Sequence, residues 1–196
     1  MTVQAATPST TTSVPHPRAE RAAKAASYDL DSLNALTSPE LEAVYRAGSL
    51  PSHFELLDGH PRGRMLAVRG LEERGVRSPL RGFAAATAFP WGGKSFQALT
   101  RDTGTGINRV HLFGRHQLFP FHTRVDRSRI DGAPAVFLDY DLADNPGLIR
   151  KIHDEIREVS PGLFLGPAMW KRRGDEALVL WFALDTREQA QAIGDV

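Results

Sequence analysis

The chain has 196 residues, 24 basic against 23 acidic side chains, and no cysteine. A net charge so close to zero argues against a broad phosphate-binding surface or a polybasic membrane anchor, so nucleic acid is not an expected partner. The missing thiols exclude disulfides, thiolate metal sites and a cysteine nucleophile, and they suit a reducing cytoplasm.

In chain order, residues 1–28 are Ala, Thr, Ser and Pro with almost no large apolar groups. They read as a disordered tail ahead of a single β-barrel-like domain over 29–196, because such a composition cannot offset the entropy of ordering. No apolar run approaches the roughly 18 residues of a membrane span. Ser38 and Pro39 in "SPELEAVYRAG" start a short helix that Gly48 ends. "RGRMLAV" reads as a strand, and "SPLRGFAAATAF", from Ser78, as a second helix. Strands are predicted over Lys94–Leu99, Gly106–Phe113, Leu118–Ile130 and Pro134–Asp141, each bounded by Gly, Pro or Asp. In "DNPGLIRKIHDEIREVSPG" the period changes: with Asn145 as cap, Leu148, Ile149, Ile152, Ile156 and Val159 fall on one side of a long helix. Two strands close the chain, Leu163–Lys171 and Glu176–Asp185.

The fold class that follows is mainly β with flanking helices (α+β): an antiparallel barrel or strongly curved sheet, with one long helix before the last two strands. Closure removes exposed edges, and about eight strands leave room inside for side chains or one small ligand, as in lipocalin-like (calycin) barrels.

"DGHPRGRMLAV" followed by "WGGKSF" resembles a bacterial family named for a Gly-x-Trp-x-Gly motif, in which a Gly-His-Pro segment precedes a Trp-x-Gly-Lys-x-Phe segment. The C-terminal half, with "LDYDLADNP", "DEIREV", "LFLG" and "LWFAL", is similar to the domain of unknown function that usually follows it. The naming motif has no counterpart here, since "AGSLPSHFELL" contains no Trp. The resemblance implies a small β-barrel and no particular activity.

Local chemistry is sparse. His111, His116 and His122 lie among arginines on strand-forming sequence and are expected on a solvated sheet surface; with no metal-binding spacing, neither a metal nor a cofactor is expected. "HDEIREV" reads as surface helix chemistry, with Arg150 and Asp154 an (i, i+4) pair. "WGGKSF" has the glycines of a turn but not the spacing of a phosphate loop, and Gly166 inside a strand marks a bulge or a close approach of another group. The expected function is binding of a hydrophobic small molecule, with a carboxylate or carbonyl end, inside the barrel. Phe96, Phe121, Leu138, Met169 and Trp181 are expected to line it, Trp91 to offer a stacking surface, and Lys94, Asn108, Arg109 and Tyr140 to supply donors. The alternatives are a cofactor-independent isomerase or cyclase using His122, Tyr140 or Asp141 as acid or base, and a filled barrel acting as an interaction module. Oligomeric state is open.

Overall fold

Eight antiparallel strands follow one another in chain order around a closed barrel: β1 (Pro61–Val68), β2 (Trp91–Ala98), β3 (Thr103–Val110), β4 (His116–Arg127), β5 (Pro134–Asp139), β6 (Ile152–Ser160), β7 (Leu163–Arg172) and β8 (Asp175–Gln189). The last strand closes on the first through pairs such as Arg64 with Ala183. This computed structural model describes residues 27–68, 91–111 and 114–190. The expected tail therefore falls largely outside the described residues, and so does the helix expected from Ser78. Among the described residues no helix is long and apolar enough to cross a membrane.

Alternation sorts each strand into two faces. Phe164, Leu180, Phe182, Leu184, Val136, Leu138 and Ile156 point inward to one core, and the turn Phe54–Leu57 closes one end of it with Phe54 and Leu57. The outward residues Leu163, Leu165, Trp181 and Ala183 meet two helices, α1 (Leu30–Asn34) and α2 (Ser38–Ala47), through Leu30, Leu33, Leu41 and Tyr45. The N-cap of α2 is Thr37 rather than Ser38; its N–H and hydroxyl both donate to the Glu40 carboxylate.

The long helix expected from Asn145 is replaced by a loop, a single helical turn at Ile149–Lys151 and strand β6. Ile152 and Ile156, four residues apart, satisfy a helix face and a strand face equally. The residues that alternate with them decide the matter. His153, Glu155 and Arg157 are 2, 0 and 1% exposed, not solvated, and they form the outer face of β6 beneath α2.

There Glu155 accepts from the Tyr45 hydroxyl (2.7 Å) and the Arg129 N–H (2.6 Å), while His153 stacks on Phe137. All five guanidinium N–H bonds of Arg157 are made: two to Asp131 and one each to the carbonyls of Tyr45, Ala133 and Pro134. A strand can bury polar residues on both faces only when each has such a partner.

Candidate functional site in the barrel interior

Two breaks in strand register build the inner site. Between Trp91 and Gly93 the pairing of β2 with β3 slips, and Gly93 adopts φ +108°, which brings Trp91 and Lys94 to the same inner face. A second slip, between Ile107 and Asn108, lies opposite Phe119, which holds a left-handed φ of 62° that a phenylalanine adopts only under strain. Asn108 and Phe119 thus both reach the interior.

An apolar cavity of about 290 Å³ opens between Met65, Trp91, Phe119, Ile152, Ala168 and Phe182, with Leu148 and Ile149 among its walls. Leu148 is 57% exposed, which puts the rim of the cavity at the loop between β5 and β6. The polar wall consists of Lys94, Asn108, Tyr140 and Asp154.

Lys94 Nζ lies 2.8 Å from Asp154 Oδ2, 2.8 Å from Asn108 Oδ1 and 2.6 Å from the Tyr140 hydroxyl. Tyr140 donates to Asp154 Oδ2 at 2.9 Å, and Trp91 Nε1 donates to Asn108 Oδ1 at 3.1 Å. The rings of Trp91, Phe121, Tyr140 and Phe182 surround the ammonium at 5.0–5.4 Å. Burial pushes the Lys94 pKa below the ordinary lysine range, with Asp154 opposing that shift. Burial, then the charge of Asp154, pushes the Tyr140 phenol well above its usual value, so it stays a donor. Among the described residues of this cluster, Asp154 Oδ1 alone is buried without a hydrogen-bond partner.

Of the residues expected from sequence, Trp91, Lys94, Asn108 and Tyr140 come together at the cavity. Phe96, Phe121 and Leu138 belong to the inner core; Phe121 packs edge-on between Phe96 and Tyr140. Trp181 does not face inward. It packs on Tyr45 outside the barrel and donates to the Ser38 hydroxyl, because β8 alternates and its neighbours Leu180 and Phe182 take the inner positions. Met169 is buried but does not border the cavity: it follows the inward Ala168, so alternation puts it on the outer face of β7, opposite His153. Arg109 points away from Asn108, and its guanidinium donates to the carbonyls of Pro61 and Gly92.

His122 is exposed, and Asp141 is held by Arg150 on the surface. His111 and His116 are also exposed. Among the described residues no three His, Asp or Glu side chains are grouped to hold a metal. The important omission is Asp154. Once "IHDEI" is read with period two, a carboxylate between two inward isoleucines is the signal, since a polar group on an apolar face is the informative exception.

No family model matches the chain, and no curated protein matches it. A solved structure of a protein from Thermomonospora curvata aligns with 85% of this chain and 95% of that one, at 20% identity and a TM-score of 0.48.

Proposed function

We propose that this chain is a lipocalin-like barrel that holds an apolar small molecule in its interior. One observation carries the reading: an apolar cavity of about 290 Å³ ends on the buried Lys94–Asp154 pair. That volume is at the small end of ligand pockets, roughly 300–1,000 Å³. The up-and-down strand order with β1 paired to β8 supports the lipocalin-like assignment, and a cavity of this size argues against a barrel serving only as a filled interaction module. An isomerase or cyclase is the second reading. It rests on Asp154 as a base through its unpartnered oxygen and Tyr140 as a proton donor, two titratable groups at one wall.

The test is titration of the full chain with the neutral fluorophore N-phenyl-1-naphthylamine, alongside native mass spectrometry for a co-purified molecule. Saturable binding of one probe per chain is expected, with quenching that disappears in Trp91→Phe. Ala168→Phe, which fills the cavity from its wall, should abolish binding. Unsaturable binding, or binding indifferent to Ala168→Phe, would refute the cavity as the site. Recovery of an added ligand in altered form would favour the isomerase.

A further inference from the structure

We infer that the ligand enters with a neutral hydrogen-bond donor, a hydroxyl or N–H, at its buried end, and that an apolar alcohol or phenol fits this site where a carboxylate does not. The inference rests on the cavity being a ligand site and follows from counting donors and acceptors at its polar wall.

Lys94 has three N–H bonds, and Asp154, Asn108 and Tyr140 take all three. The Tyr140 hydroxyl gives its proton to Asp154. Asn108 directs its amide N–H groups at the Tyr140 hydroxyl (3.1 Å) and the Phe119 carbonyl (3.2 Å), and Trp91 Nε1 is spent on Asn108. Every donor of the cluster is therefore committed. The group left over is an acceptor, Asp154 Oδ1, on a residue that lines the cavity; the atom itself is covered, so a ligand donor reaches it only when the side chain turns toward the cavity.

Charge leads to the same conclusion. Lys94 and Asp154 cancel, and Arg109, the other cation expected at the site, binds backbone carbonyls away from the cavity. A carboxylate entering a low-dielectric pocket would find no unpaired cation among the described residues that line it and would lie beside Asp154, at a cost that nothing in the cluster offsets. An ammonium would meet Lys94 in the same way. A hydroxyl costs little to desolvate and completes the carboxylate. A site built to bond such a group rejects analogues that lack it, because its own buried polar atom is then left unmade.

The experiment compares four probes of one carbon frame on the unmodified chain by calorimetry: 2-naphthol, naphthalene, 2-naphthoate and 2-naphthylmethylamine. The naphthol should bind at least tenfold more tightly than each of the others. In Asp154→Asn, if it folds, the advantage over naphthalene should shrink below threefold. The comparison on the unmodified chain decides the matter without that variant. Naphthoate equal to or tighter than naphthol would overturn the inference and restore an anion-binding wall, while leaving the cavity as the site. Naphthalene equal to naphthol would overturn it in favour of recognition by shape. Failure of all four to bind would remove the ligand-site reading itself.

Discussion

Lys94 and Asp154 hold each other inside the barrel at 2.8 Å, both with side chains only 4% exposed, so neither tolerates loss of the other. Asp154→Ala leaves an ammonium among four aromatic rings with no carboxylate, and should cost about 3–5 kcal/mol, as breaking a buried pair does. Replacing both, as Lys94→Met with Asp154→Leu, removes the desolvation cost with the charges and should restore much of that loss. Urea denaturation of the single and double variants measures this; a double variant no more stable than Asp154→Ala would mean the pair is not the main determinant. At this scale the site was half legible. Trp91 and Lys94 stand out in sequence beside the paired glycines of "WGGKSF", and Asn108 and Tyr140 as polar or amphipathic side chains on strand-forming sequence. Asp154 does not, because its two isoleucine neighbours also fit a helix, and Arg150 four residues away supplied a false surface partner; that arginine pairs with Asp141.

Element by element, β6 and β7 show where local pattern ends and tertiary context begins. The glycine at position 166 was legible as a bulge or a close approach, but which of the two, and what approaches it, was not, since its neighbour was assigned to a helix. A Cβ there would lie 1.7 Å from the Glu155 carbonyl oxygen, so β7 lies in direct backbone contact with its ladder partner β6 at this point. Gly166→Ala should therefore destabilise by about 3 kcal/mol or more, at or beyond the upper end of overpacking costs, because a backbone atom cannot swing aside. Gly147 has nothing within 4 Å of its added Cβ, and Gly147→Ala should stay within about 0.5 kcal/mol. Thermal unfolding of the two variants makes the comparison, and equal effects would mean the contact between the two strands is looser than the geometry indicates. Hairpin punctuation explains why the other strands were readable: Gly, Pro and Asp mark their ends, and no competing period overlaps them. The strand that could not be read buries charged residues on its outer face, and burial is a property of what covers a strand.

For the whole molecule, barrel closure was inferable only as a way to remove edges, because the pairing of β1 with β8 joins segments more than a hundred residues apart. A buried ionic network secures the outside of that barrel, and acid should release it. Arg157 on β6 grips Asp131 between β4 and β5 while also donating to Tyr45 of α2, so one guanidinium joins the helical layer to three strands' worth of sheet. Its hydrogen bonds draw the Asp131 carboxyl down to about 2 from an ordinary 3.8. Burial alone would raise Glu155, but hydrogen bonds from His153, Ser128, the Arg129 N–H and Tyr45 outweigh it and leave the carboxyl below its usual range. Carboxylates depressed on folding contribute stability that is fully present above their unfolded pKa and is lost as pH falls through the folded value. For Asp131 that window runs from about 4 down to about 2. Asp131→Asn keeps the shape and removes the charge, so it should lower the melting temperature clearly at neutral pH, and the gap from the parent should narrow steadily as pH drops through the window. Asp141→Asn, which removes an exposed ion pair with Arg150, should shift the melting temperature little at any pH. Calorimetric scans of the three proteins from neutral pH to about 2.5 supply the comparison. A gap between parent and Asp131→Asn that stays constant across the window would show that the Arg157 bridge does not set the acid response of this barrel.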